Sequence, residues 1–213
     1  MPVIAKEVMG RVLVASLHQG IADTLPDRLT FYENWLTVEG LREGTIGMPQ
    51  LLAVLSFLRL EGEVYDTITT RAGEYAAEWT VQTMAWSHRV LLASTPGWLR
   101  QRLVLRLARR VVRSTNPGTR AISKLQHGTA DIEVAGSIFC TVREPVLHPL
   151  CGFYASALTR LFQLFNLNGR VEVVECRGTG GSTCRLKVAL RKQGDRDEAP
   201  AAETPVSSTG AVA

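Results

Sequence analysis

The period of the apolar residues changes along this chain, and the change limits the class of fold. Between residues 45 and 113 apolar side chains recur at helical spacing, as in Leu51, Leu55 and Leu58. From residue 129 onward apolar and polar residues alternate, which is typical of strands with one buried face. The pattern predicts an α+β fold, in which a helical N-terminal half packs on an antiparallel four-stranded sheet.

The second half of the chain predicts a unit of strand, strand, helix, strand and strand. The segments TADIEVAG and SIFCTVREP are predicted as two strands that join at Gly136. A helix is predicted to begin at Pro149 and to end near Gly169. The segments RVEVVEC and CRLKVAL are predicted as the last two strands.

A length of 213 residues suits one domain with a sizeable core. We expect that domain to cover residues 1–190, with its core in 120–190. Residues 191–213 are rich in Ala, Pro, Ser, Thr and Gly, and we expect a disordered tail there.

The segment TPGWLRQRLVLRLARRVVRSTNPG predicts a basic amphipathic helix that is stopped by Asn116, Pro117 and Gly118. Leu99, Leu103, Leu107 and Val111 recur at helical spacing, and most arginines lie on the other side. Those arginines are Arg102, Arg106, Arg109, Arg110 and Arg113. A core-packed helix with a solvated arginine face is the simplest interpretation. Anionic lipid, nucleic acid and an acidic ligand edge are the alternative partners.

Charge and hydropathy exclude some classes of function. A net charge of +4 and 7% aromatic residues do not favour nucleic acid, and we expect none as a partner. No apolar stretch reaches the roughly 18 residues that span a bilayer, and the N-terminal segment lacks a signal-peptide core. We therefore expect a cytoplasmic protein with no transmembrane segment, in which grouped cysteines more often bind metal than form disulfides.

Three of the four cysteines are predicted to meet. Cys151 lies in the first turn of the predicted helix, Cys176 ends one strand, and Cys184 begins the next. Three thiols and a fourth nitrogen or oxygen ligand suit zinc. The alternative is a set of buried, reduced cysteines.

The residues around these cysteines resemble a known family. The run from Cys151 to Tyr154, the pair Glu175 and Cys176, and the run from Gly180 to Cys184 resemble the 4-vinyl reductase domain family. That family is related in fold to subunits of the TRAPP tethering complex and includes sensor domains of phenol-responsive activators. The resemblance covers about residues 120 to 190.

The resemblance implies a ligand set and an assembly. It implies structural zinc on Cys151, Cys176 and Cys184, with a nearby glutamate. On an undistorted strand Glu172 shares a face with Cys176, so Glu172 is the predicted fourth ligand; Cys140 and His148 are further candidates. The resemblance also implies a homodimer through the N-terminal helices, with PQLLAVLSFLRL as the apolar surface.

The family takes its name from a bacteriochlorophyll biosynthesis protein assigned to reduction of a vinyl group, and this chain looks most like that member. The reduction needs a redox cofactor, but the chain has no NAD or flavin motif, since GTGGS lies between two strands. Whether it is an enzyme stays open. We expect an accessory protein of photosynthesis that carries divinyl protochlorophyllide or a magnesium porphyrin, with a pigment-biosynthesis enzyme as a possible partner.

Such a tetrapyrrole would need an apolar cavity with a few polar groups. The candidate lining residues in our prediction are Trp98, Phe139, Phe153 and Tyr154, and Arg102 and Arg106 would face the propionates. His88 and His127 are candidate axial ligands. The alternatives are a zinc-containing sensor of hydrophobic effectors and a TRAPP-like interaction scaffold.

Overall fold

The computed structural model describes residues 9–126 and 128–190. The predicted tail over 191–213 therefore lies outside the described residues, and the single-domain assignment stays a prediction. The helices are α1 (Arg11–Thr24), α2 (Leu29–Glu33), α3 (Val38–Glu43), α4 (Met48–Arg59), α5 (Glu63–Gln82), α6 (Trp86–Ser94), α7 (Gly97–Arg113) and α8 (Gly152–Leu164). The strands are β1 (Arg120–Gln126), β2 (Thr129–Ala135), β3 (Gly169–Glu175) and β4 (Cys184–Leu190).

The four strands form one antiparallel sheet in the order β1-β2-β4-β3. Alternation places Ile132, Val171 and Val188 on the buried face. The opposite face carries charged residues in cross-strand register, with Lys187 between Asp131 and Glu172. The predicted α+β class, with helices before the sheet, is confirmed.

The first strand pair differs from the prediction. The structure pairs β1 with β2 in a hairpin whose turn has Gly128 at φ 79°, a left-handed conformation that glycine adopts freely. The segment SIFCTVREP is not a strand in this structure, and Ile138–Cys140 form a 3-10 turn there. The strand prediction for SIFCTVREP was wrong. Its apolar residues Ile138, Phe139 and Cys140 are buried, as in a strand, but a 3-10 turn places them in the core.

Helix α5 is the centre of the helical half and packs between α1 and α8. The predicted helical segment 67–93 is a broken pair, α5 and α6, and the break falls after Gln82. At the α5–α8 crossing, Gly73 lies so close that a Cβ atom would be 2.9 Å from the backbone nitrogen of Ala157. Phe153 and Leu158 of α8 are fully buried, and burying each side chain stabilises the fold by about 1.5–3 kcal/mol.

Helix α7 presents a different stripe to the core from the one predicted. Its buried residues are Val104, Leu105, Ala108, Val111 and Val112, while Leu99, Leu103 and Leu107 are only half-buried. The helix packs against both β1 and α8, which rotates the buried stripe away from the three leucines. Arg102, Arg106, Arg110 and Arg113 are exposed as a result.

Within the described residues, no helix is long and apolar enough to cross a membrane.

Candidate metal centre

The structure brings the four cysteines together at one end of the sheet. Cys140 ends the 3-10 turn after β2, and Cys151 caps the N-terminus of α8. Cys176 follows β3, and Cys184 is the first residue of β4. All four side chains are buried, with at most 2% of each residue exposed. Residues from four separate elements thus share one enclosed site.

The sulfur atoms form a compact group. The Sγ atom of Cys140 lies 3.2 Å from that of Cys151, 3.5 Å from that of Cys176 and 3.3 Å from that of Cys184. The Sγ atoms of Cys151 and Cys176 are 3.3 Å apart, and all four sulfurs lie within 4.8 Å of one another. This four-sulfur cluster could hold one metal ion.

A β-bulge decides which side chain of β3 enters the cluster. The register between β3 and β4 shifts between Val173 and Glu175, so the alternation of side chains is interrupted there. Cys176 therefore turns into the core, whereas Glu172 is exposed and pairs across the sheet with Lys187. The 3-10 turn Arg177–Thr179 then leads back toward β4 through Gly180, whose φ is 96°.

Backbone amides support a negative charge at Cys176. The N–H groups of Leu150 and Gly178 donate to its Sγ atom over 3.4 and 3.3 Å. Hydrogen bonds from Cys140 and the other two thiols, together with the Leu150 amide, lower the pKa of the Cys176 thiol. The neighbouring sulfur of Cys140 in turn raises the pKa of Cys151. Without a cation the four thiols cannot all ionise, and a bound dication would favour the thiolates.

A basic side chain from the helical half reaches the turn that holds Cys140. Arg59, the last residue of α4, donates from Nη2 to the carbonyl oxygen of Phe139 over 2.9 Å. Phe139 immediately precedes Cys140, and its ring stacks on that of Phe153 with centroids 4.8 Å apart. Arg59 thus ties α4 to the cysteine turn and brings a positive charge toward a site that thiolates would make negative.

The structure separates the predicted metal ligands into two groups. Cys151, Cys176 and Cys184 come together, and Cys140 completes the four-sulfur cluster. Glu172 lies on the outer face of the sheet, and His148 is exposed. The sequence offered Cys140 only as a further candidate, because its segment was predicted as a strand. No signal in the sequence pointed to Arg59.

The predicted ligand-lining residues are also divided. Phe139, Phe153 and Tyr154 pack on one another in the core, with ring centroids 4.8 to 5.5 Å apart. Trp98, Arg102 and Arg106 lie on exposed parts of α7. The structure therefore does not gather these six residues around one cavity.

The described residues form an open groove of about 1040 Å³. It lies beside α8 and the free edge of β3, where Thr159 accepts a hydrogen bond from the N–H of Val171 over 3.1 Å. Its charged lining residues are Glu74, Arg160, Arg170, Glu172 and Lys187. A groove with so many charged walls suits a polar molecule better than a flat apolar one.

Comparison with known proteins identifies solved structures with a similar fold. No protein-family model and no curated protein matches this chain. An H-NOX protein from S. oneidensis in the Fe(II)NO ligation state matches with a TM-score of 0.53 and 12% identity, over 86% of this chain and 100% of that chain. An unliganded Fe(II) H-NOX mutant from K. algicida matches with a TM-score of 0.52 and 15% identity, over 87% of this chain and 98% of that chain. The chain shares the H-NOX fold.

A third solved structure is less similar. The phenol-responsive sensory domain of the activator PoxR, with phenol, matches at a TM-score of 0.44 and 13% identity, over 70% of this chain and 76% of that chain. A TM-score this low does not establish a common fold.

These comparisons correct the identification made from the sequence. The resemblance to the 4-vinyl reductase domain family was wrong, because the matching folds are H-NOX proteins and no family model matches. The roles in bacteriochlorophyll biosynthesis, photosynthesis and vinyl reduction, and the pigment-enzyme partner, lose their support with it. The quoted motif is short and consists largely of cysteines and glycines, and such residues report local geometry more than family.

The described residues do not fit the iron of those H-NOX structures. Iron held as haem would need an axial ligand such as imidazole, thiolate, thioether or phenolate beside an enclosed cavity. The groove is lined by none of these. Among the described histidines, none faces an enclosed cavity as an axial ligand would: the Nε2 atom of His18 lies 3.1 Å from Oε1 of Glu33, and His88 and His148 are exposed. The four cysteine sulfurs lie next to one another in one cluster, so none of them is free to act as an axial ligand.

Proposed function

We propose that the protein is a sensory-type ligand-binding domain whose C-terminal unit is held together by one structural zinc ion. The zinc ligands in this proposal are Cys140, Cys151, Cys176 and Cys184. The observation that carries it is the four-sulfur cluster, in which four buried thiols from four elements lie within 4.8 Å of one another.

The chemistry of the donors supports zinc over other metals. A tetrahedron with Zn–S bonds of about 2.3 Å has sulfur atoms about 3.8 Å apart, so separations of 3.2 to 3.5 Å need only a small expansion. Four thiolates leave no open position, which is typical of structural zinc. The two amide N–H groups on Cys176 would act as outer-shell donors to a thiolate ligand.

Metal analysis tests the zinc proposal. Protein purified under reducing conditions is expected to contain one zinc per chain. Replacement by cobalt is expected to give the absorption bands of a tetrahedral thiolate site. Cys140→Ser should lose the metal, and Glu172→Gln should retain it. Zinc that is retained in Cys140→Ser and lost in Glu172→Gln would contradict the ligand set.

The ligand-binding role is supported by the fold and by the groove beside α8. H-NOX proteins are described in liganded iron states, and this chain offers the polar groove in place of an iron site. Small molecules extracted from the native protein would be compared by mass spectrometry with those from Ala155→Trp, which blocks the groove, and Ala93→Trp, which alters an exposed position on α6. We expect a polar compound that only Ala155→Trp fails to retain; identical extracts would count against the role.

Location and assembly belong to the same proposal. Four thiols persist as metal ligands most readily in a reducing compartment, which supports the cytoplasm. Homodimerisation stays a prediction. Leu51, Leu55 and Leu58 of the proposed surface are buried in the chain's own core, so these three side chains are not free to contact a second copy. A dimer would have to use the neighbouring Phe57 and Leu60, and light scattering of Leu60→Ser would test it.

A further inference from the structure

The middle of the chain has a one-sided charge distribution. Residues 79–130 contain no Asp or Glu, although the whole chain has 20 acidic residues against 24 lysines and arginines. Most of the basic residues in this stretch lie on α7. They are Arg100, Arg102, Arg106, Arg109, Arg110 and Arg113. The modest net charge of the chain therefore conceals a strongly basic surface.

Four of these arginines form a continuous strip. Arg106, Arg109, Arg110 and Arg113 are spaced by three and four residues, so they follow one side of the helix, and they line a shallow cleft of about 360 Å³. None of them makes an ion pair with a carboxylate of the described residues. The Nε atom of Arg109 is buried without a hydrogen-bond partner there. The positive charge of this arginine strip is uncompensated within the described chain.

Exposed apolar side chains accompany the strip. Trp98 is 63% exposed on α7, and the guanidinium of Arg102 lies 5.7 Å from the centre of its ring. On the adjoining helix α6, Trp86 is 72% exposed and Leu91 59% exposed. A folded chain exposes such large apolar groups together with arginines where a partner covers both kinds.

We propose that α7, with the end of α6, docks on the surface of an anionic lipid bilayer. The arginine strip would contact lipid phosphates and Trp98 would enter the headgroup region, where indole rings are favoured. An exposed aliphatic side chain such as Leu91 favours lipid over single-stranded nucleic acid, whose bases stack mainly on aromatic rings. An acidic protein surface would also match the charges, and a comparison with polyglutamate distinguishes it from lipid.

Vesicle binding tests the proposal with the full chain. The protein is expected to sediment with vesicles of phosphatidylcholine and phosphatidylserine, and not with phosphatidylcholine alone, and added salt should weaken the binding. Arg106→Gln with Arg110→Gln and Arg113→Gln should lower the partition coefficient roughly 100-fold, since each surface arginine contributes about fivefold. Trp98→Ser should weaken binding and remove the blue shift of tryptophan emission.

Matched variants separate a specific face from general charge. Arg42→Gln with Arg71→Gln and Arg143→Gln removes the same charge from exposed positions elsewhere, and Leu147→Ser removes an apolar side chain that is 93% exposed. Both controls should bind vesicles like the unaltered protein. Equal loss of binding in the two triple variants would overturn the proposal. Tighter binding to duplex DNA or to polyglutamate than to anionic vesicles at the same salt would also overturn it.

Discussion

The Sγ atoms of Cys140 and Cys151 lie 3.2 Å apart, although one residue ends a 3-10 turn and the other caps a helix. This short distance links the end of the first hairpin to the start of α8. The same four-sulfur cluster includes the first residue of β4 and the residue that follows β3. A single ion at this point would therefore connect the segments that follow β2 and β3 with the starts of α8 and β4.

Removing one cysteine ligand should break the connection between these elements. Cys140→Ser is expected to lose zinc and to lower the melting temperature by about 10 °C or more, because structural zinc contributes several kcal/mol and each kcal/mol shifts the melting temperature of a chain this size by about 2–4 °C. Zinc content and thermal melting, with and without a chelator, are the measurements. Glu172→Gln is the control, and melting unaffected by chelation would show that the cluster holds no structural ion.

Arg59 should tune the metal site without touching the metal. Arg59→Met removes the hydrogen bond to the Phe139 carbonyl and should lower zinc affinity about 10-fold, in the range found for outer-shell partners. Competition with a chromophoric chelator measures the affinity, and Arg59→Lys should recover part of it. Arg71→Met, at an exposed position that pairs with Glu74, should leave the affinity unchanged. An equal loss in both methionine variants would argue against a positioning role for Arg59.

The crossing of α5 and α8 should not tolerate a methyl group. Gly73→Ala would place a Cβ atom against the Ser156 hydroxyl and the Phe153 carbonyl oxygen, and overpacking of this kind costs about 1–3 kcal/mol. The free energy of unfolding in urea is the measurement. Gly97→Ala, where a Cβ atom meets nothing within 4 Å, is the matched control and should change stability little. Equal stability of the two variants would mean that the helices can separate without cost.

The hydrogen bond from Tyr75 of α5 to Asp23 of α1 should make the stability of the fold depend on pH in both acid and alkali. The hydrogen bond from Tyr75 lowers the pKa of Asp23 below 3.8, and the same bond raises the pKa of Tyr75 above 10.0. Because the folded pKa of Asp23 is depressed, its contribution is complete above pH 3.8 and is lost as the pH falls through the folded value. The contribution of Tyr75 is complete below pH 10.0 and is lost as the pH rises through its folded pKa.

Tyr75→Phe tests that dependence. At pH 7 the variant should melt lower by at most about 2–4 °C, since both groups are exposed and solvent screens their interaction. The difference from the unaltered protein should shrink in acid and in strong alkali. Thr83→Val, near the end of the same helix, is the control. A difference that stays constant across the pH range would mean that the hydroxyl contributes by packing alone.

How far the sequence predicts this structure depends on the range of the interaction. Local periodicity correctly predicted the class of the fold, the presence of helix α8 and the last two strands. Between residues 120 and 145 it correctly predicted only β2, because the alternation of SIFCTVREP resembled a strand and that of RAISKLQ was overlooked. The short motif around the cysteines also suggested a family that the comparison of folds does not support.

The sequence by itself determined the layers, because a period of two or of 3.6 residues is a property of neighbours along the chain. It also determined that three cysteines fall at the ends of elements. Only the tertiary structure decided that Cys140 is the fourth sulfur and that Glu172 faces solvent. Both outcomes depend on a 3-10 turn and a one-residue bulge, and a shift of one residue in a strand reverses the face of every side chain beyond it.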